Sequence, residues 1–156
     1  MIKLSRMADY GVILMVQLVR SPKMVTTATE LTESTGLPGP TVSKLLKQLS
    51  RAGLLNSHRG ANGGYAVSGP AEDISVADVV SALDGPIALT ECMTADGVVC
   101  EIEALCPTRT NWHQINVALV DALERVSLMD MAGPAFIPRR VSTGFVTADT
   151  VVKGVA

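Results

Sequence analysis

Between residues 27 and 67 the chain is punctuated so closely that few arrangements remain open to it. The quartet "TATE" (27–30) sets a threonine hydroxyl and a glutamate carboxylate three residues apart. At that spacing each satisfies an amide left without a partner at a helix start. A short helix is predicted from there to about Ser34. "TGLPGP" (35–40) then forces a tight turn, because glycine supplies dihedrals other residues avoid and Pro40 fits the first position of a new helix. The second helix, over 40–52, buries Val42, Leu45, Leu46 and Leu49 at i, i+3, i+4 and i+7 and stops at Gly53. Its other face carries Thr41, Ser43, Lys44, Lys47, Gln48 and Arg51. After it, "LLNSH" (54–58) and "GYAVS" (64–68) read as two strands joined by a glycine-rich loop.

Many amphipathic helix pairs look alike, and a glycine-rich hairpin alone is an ordinary turn. In this order they read as a winged helix-turn-helix, whose second helix enters the major groove of double-stranded DNA. Thr41, Ser43, Lys44, Lys47 and Arg51 are the candidate DNA contacts on the helix, and Arg59, Gly60 and Asn62 those on the wing. The glycines let backbone lie close to the duplex, and Arg59 at the tip reaches phosphate or the electronegative minor groove.

A net charge of -2 does not by itself suggest a nucleic-acid partner. The distribution does. Between Glu33 and Glu72 there is no acidic residue, while Lys44, Lys47, Arg51 and Arg59 all fall there. From Glu72 to Cys106 stand eight acids and no lysine or arginine. A charge run is usually a solvated face, but segregation this complete points to one end that meets a polyanion.

The length of 156 residues, with 47% hydrophobic, suits one compact domain with appendages. The opening "MIKLSRMADYGVILMVQLV" is interrupted by Asp9 and Gln17, and no small-residue cleavage site follows before "RSPK", which argues against a signal peptide. No run approaches the ~18 apolar residues of a membrane span. A cytoplasmic protein without a membrane partner is expected, and there cysteines are thiols or ligands more often than disulfides.

Cys92, Cys100 and Cys106 fall inside fifteen residues, spaced C-x7-C-x5-C. Zinc usually takes closely paired cysteines in a closed set of four. A disulfide leaves one thiol over. Iron-sulfur clusters take thiolates from looser loops, so an iron-sulfur cluster is the favoured cofactor, with thiol redox switching next and zinc last. Three cysteines leave one ligand unassigned. With two histidines, His58 and His113, neither in a nucleophile motif, the chain is not read as an enzyme and no small-molecule substrate is expected. An iron-sulfur carrier or scaffold is the other alternative, but it has no need of an acid-free helix and wing.

A long helix follows over 110–126, with Trp112, Ile115, Leu119, Ala122 and Val126 at heptad spacing. Such a stripe faces either the core or a partner helix. A helix-turn-helix reader generally covers a two-fold site with two copies, so a homodimer through this helix is expected. The fold class is therefore mainly α with a small β-hairpin wing. The divisions are a DNA-binding domain over 1–85, a cysteine loop over 86–109, a dimerisation helix and cap over 110–131, and a loosely ordered tail over 132–156.

Over about residues 1–131 the chain resembles the small winged-helix bacterial regulators that bind iron-sulfur clusters, the IscR, NsrR and RirA groups. The likeness rests on "KLSRMADYGVILM", on "RGANGGYAVS" in the wing, on "ISVADVVSALDG" (74–85) and on the three cysteines in order. "MIKLSRMADYGVILM" and "CPTRTNWHQIN" (106–116) look most like regulators of the SUF cluster-assembly operon. The resemblance implies a dimer on a pseudo-palindromic operator, with Cys92, Cys100 and Cys106 ligating iron and the cluster altering DNA affinity. IscR-type members place a histidine three residues after the third cysteine, where this chain has Arg109. Asp9 aligns with an aspartate that NsrR-type members supply from the partner subunit, and is the expected fourth ligand ahead of His113. A 2Fe-2S cluster is favoured, and 4Fe-4S stays open.

Overall fold

The computed structural model describes residues 3–60, 62–90, 93 and 105–134. Cys92 and Cys100, Ala61 in the wing loop and most of the tail lie outside the described residues.

Helix α1, Arg6–Arg20, opens on Ser5, whose Oγ accepts the Ala8 N–H at 3.0 Å. Asp9 in its first turn and Arg20 in its last oppose the helix dipole. Helix α2, Ala28–Thr35, starts on the capping box of Thr27 and Glu30 and ends at Gly36, whose φ of 70° is left-handed. Helix α3, Gly39–Arg51, begins one residue earlier than the sequence suggests, which moves Pro40 from the first helical position to the second. Strands β1, Leu55–His58, and β2, Gly64–Val67, pair antiparallel from Leu55 opposite Val67 to His58 opposite Gly64. Helix α4, Val76–Asp84, and helix α6, Leu128–Ala132, each start on a serine capping box, Ser75 with Asp78 and Ser127 with Asp130. Between them runs α5, Arg109–Glu124. The architecture is mainly helical with a two-stranded wing.

The core is built on α1. Leu14 and Met15 are fully buried with Leu31 of α2, Val42, Leu45, Leu46 and Leu49 of α3, Val79 of α4 and Leu128 of α6. The four α3 residues are those the helical spacing selected. Gly11 lets α4 approach closely, since a Cβ there would lie 2.1 Å from Leu83 Cδ1.

Two long-range pairings hold the periphery. Thr26, in the link between α1 and α2, exchanges backbone hydrogen bonds with Tyr65 of β2 at 3.0 and 2.9 Å. The wing is thereby tied to the helix-turn-helix, and Gly64 is required there because a Cβ would meet the Thr26 carbonyl oxygen at 2.6 Å. In the second, around Ser75 and Ser127, the Val76 N–H donates to Val126 and the Leu128 N–H to Ile74, both at 2.8 Å. Arg20 Nε donates to the Ala132 carbonyl at 3.0 Å, satisfying the free end of α6. These bonds return the end of α5 to the core.

The stripe predicted over 110–126 stands largely clear of that core and meets it at its end, where Val126 packs against it. No residue of α5 is buried, and Trp112 and Ile115 are 41% and 49% exposed.

Candidate nucleic-acid interface and cysteine site

The outer surface of α3 follows from its amphipathic period. With the leucines turned inward, Ser43, Lys44, Lys47 and Arg51 are exposed and Thr41 and Gln48 are half-buried along one flank. Among the described residues the ion pair is Lys23 with Glu30, so neither lysine of α3 is neutralised by a carboxylate. The Gln48 side-chain oxygen is buried without a hydrogen-bond partner. Burial of this kind has no signature in a single sequence, which placed Gln48 on the outer face only.

The wing follows α3 directly, and β1 packs against that helix. Arg59, Gly60 and Asn62 are exposed beyond the end of β1. Gly60 takes a φ of 115° and accepts the Gly63 N–H at 3.0 Å, closing the loop. At Gly63 a Cβ would lie 2.5 Å from the His58 carbonyl oxygen, so this turn takes glycine for lack of space.

Helix starts separate into two kinds. α1, α2, α4 and α6 each begin on a serine or threonine that caps them, and each has an acid in the first turn. α3 begins on Pro38, with no side-chain cap and no acid in its first turn. α5 begins on Thr108, likewise without a side-chain cap or an acid in its first turn. An uncapped helix start carries partial positive charge and favours an anion.

Cys106 stands three residues before α5 and is partly exposed. Its Sγ lies 3.5 Å from Thr108 Oγ1. That hydroxyl first, then the Thr108 and Arg109 amides and the Arg109 charge, pull the thiol below its ordinary pKa against the opposing effect of desolvation. The group is biased toward thiolate, the form that ligates metals or reacts with oxidants.

Of the remaining ligand candidates, Asp9 is exposed on the first turn of α1 and His113 is exposed on α5. The described residues bring no three potential metal ligands together, and Cys92 and Cys100 lie outside them. One polar contact went unnoticed in the sequence: Asn116 of α5 holds the backbone of Ile87 and Leu89, at 3.0 and 2.9 Å.

A family model described as Rrf2, iron-dependent transcriptional regulator, matches residues 4–134. A Mycobacterium tuberculosis protein named as an HTH-type transcriptional regulator is 30% identical over 141 residues, 90% of this chain and 86% of that one. Protein rrf2 of Nitratidesulfovibrio vulgaris is 31% identical over 130 residues, covering 83% and 86%. Among solved structures, CymR of B. subtilis, described as its global cysteine regulator, superposes with a TM-score of 0.69 at 30% identity, over 85% of this chain and 97% of that. IscR of T. potens gives 0.63 at 27% identity, over 83% and 85%. The oxidized form of Staphylococcus aureus CymR gives 0.65 at 28% identity, over 86% and 98%.

Proposed function

The chain belongs to the Rrf2 family of transcriptional regulators, and on that premise we propose that it is a dimeric repressor whose DNA affinity answers to an iron-sulfur cluster. Its targets, on the resemblance of "MIKLSRMADYGVILM" and "CPTRTNWHQIN" to SUF regulators, are cluster-assembly genes. α3 lies in the major groove with Thr41, Ser43, Lys44, Lys47 and Arg51 toward the duplex, and Arg59, Gly60 and Asn62 of the wing reach the flanking backbone. Two copies pair through the exposed stripe of α5, including Trp112 and Ile115, and so present two α3 helices to a pseudo-palindromic site. No described helix is long and apolar enough to cross a membrane, and a cytoplasmic place beside DNA is proposed.

The observation that carries the sensing half is the place of Cys106, just before the uncapped start of α5 with its Sγ 3.5 Å from Thr108 Oγ1. Soft thiolates suit iron-sulfur clusters, and the chain offers three within fifteen residues. The donor set fits a cluster with Cys92, Cys100 and Cys106 as its thiolates and Asp9 of the partner subunit as the harder, fourth ligand. A bound cluster supplies a redox-active centre whose loss or oxidation is the signal. The chain's own part is to hold thiolates ready and to carry the change through α5.

A metal-free thiol switch is the second reading, favoured by the same lowered thiol and by the likeness to the CymR cysteine regulators. The two separate on one measurement. Protein purified without oxygen from iron-replete cells is expected to be coloured, with iron and sulfide in equal amounts. A colourless, iron-free protein overturns the cluster and leaves the thiol switch.

A further inference from the structure

Asn116 spends its whole carboxamide on one stretch of backbone. Nδ2 donates to the Ile87 carbonyl at 3.0 Å, and Oδ1 accepts the Leu89 N–H at 2.9 Å. One donor and one acceptor set against residues i and i+2 is what a neighbouring strand offers, and here a single side chain supplies both. The stretch it holds lies just past the end of α4 and three residues before Cys92.

The other end of the cysteine segment is fixed by the chain itself, at Arg109, where α5 begins. Asn116 lies seven residues along that helix, about 10 Å at 1.5 Å per residue. Both ends of the segment are therefore fastened to one rigid element. Farther upstream, Ser5 Oγ donates to Asp84 Oδ1 at 2.7 Å, which ties the end of α4 to the start of α1.

Resting on the reading that the three cysteines hold a ligand, we propose that Asn116 is the positioning residue of that site. It registers the stretch leading to Cys92 and Cys100 on the helix whose start holds the Cys106 thiol. Tethering alone does not account for a large effect. Without Asn116 the stretch is still held at Ile87, which packs against the core two residues farther from Cys92, and loop closure over the slightly longer span weakens ligand capture by only about 1.2-fold. Two hydrogen bonds that form only when the stretch is in register are worth about tenfold. The size of the effect thus distinguishes registration from slack.

The experiment uses the full chain with Asn116→Ala, which removes both bonds, and Asn116→Asp, which keeps an acceptor for Leu89 but sets a carboxylate against the Ile87 carbonyl. Each protein is reconstituted anaerobically with ferrous iron and sulfide, and the metal-free form is titrated separately with Cd2+, a thiolate-seeking probe. Both variants are expected to keep the wild-type melting temperature within a few degrees, and their metal-free forms to bind DNA within about twofold of wild type. Their clusters should decay about tenfold faster in the presence of a chelator, with an altered visible circular dichroism, and their Kd for Cd2+ should rise about tenfold. Cluster lifetime and Cd2+ affinity within about 1.5-fold of wild type in both variants overturn the proposal. If the wild-type chain takes up no iron yet Cd2+ binding still depends on Asn116, the cluster reading falls and the positioning role stands.

Discussion

The proposed DNA-facing surface of α3 is tested by removing one positive charge and reading the salt dependence rather than the affinity alone. Lys47 is exposed, and the only ion pair among the described residues is Lys23 with Glu30, so Lys47→Ala breaks nothing inside the protein. Helix propensity changes by a few tenths of a kcal/mol at most, and the melting temperature is expected to stay where it is. In a dimer each substitution withdraws two charges from the duplex. At about 0.9 counterions released per phosphate contact, the slope of log K against log salt falls in magnitude by about 1.8. Between ~50 and ~200 mM salt the wild-type affinity then drops about tenfold further than that of the variant. The assay is fluorescence anisotropy on a labelled duplex at four salt concentrations. Any duplex serves for the slope, because this electrostatic contribution is independent of sequence. Lys44→Ala and Arg59→Ala are treated alike. If all three variants keep the wild-type slope, neither α3 nor the wing lies on phosphate and the docking model fails.

Gly64→Ala pushes a Cβ against the Thr26 carbonyl at 2.6 Å; backbone on both sides cannot yield, so a loss of about 1–3 kcal/mol in chemical denaturation is expected with weakened DNA binding, and unchanged stability refutes the close approach. Leu128→Ala empties a fully buried position and should cost about 2–5 kcal/mol; a loss below about 1 kcal/mol means α6 is not seated in the core as described. Glu30 is held at a pKa of about 2, chiefly by its bond to Lys23 and then by those from Thr27. Because its folded pKa lies below the unfolded one, its stabilisation is full above about pH 5 and fades as pH falls from there toward 2; the stability gap between wild type and Glu30→Gln should narrow over that window, and a gap flat down to pH 3 contradicts the ion pair. Asp9→Ala should disturb the cluster spectrum more than His113→Ala, and a heterodimer of an Asp9→Ala chain with a chain carrying Cys92→Ala, Cys100→Ala and Cys106→Ala should retain one site; a native-like site only when Asp9 and the cysteines share a chain removes the cross-subunit ligand.

The features legible in the sequence are those whose bonds close within a few residues. The capping box at Thr27 and Glu30 is formed as its spacing implied, and the four apolar residues of α3 are the buried ones. The hairpin sits where the glycines left two strands free to pair. What stayed hidden joins distant residues through at least one backbone group, which every residue type shares. The Thr26 and Tyr65 bridge uses only backbone, and the clasp of Arg20 on Ala132 spans 112 residues. Asn116 lies inside the motif "CPTRTNWHQIN", yet nothing local marks an asparagine whose partners are a carbonyl 29 and an amide 27 residues away. The stripe on α5 was visible as apolar, but a heptad does not say whether it meets the same chain or another.

The distribution of helix caps bears on how one chain serves two kinds of anion. Four helices neutralise their own positive ends with a hydroxyl and an acid. Each cap of that kind is worth about 1 kcal/mol, so leaving a helix without one needs an offset elsewhere. The two starts without a side-chain cap are those of α3 and α5. On the proposed function, the polyphosphate backbone would supply the missing charge at α3 when DNA is bound, and the thiolate of Cys106 would supply it at α5. Packing connects the two, since α5 lies against α4, and α4 lies against α3. On the proposed function a change at Cys106 has a contiguous route to the helix proposed to meet DNA, and it would alter affinity only by as much as the ligand distinguishes two arrangements of that frame. Asn116 and the α4 contacts are where such a difference would be set, because there the segment carrying the thiols is fastened to the helices that pass it on.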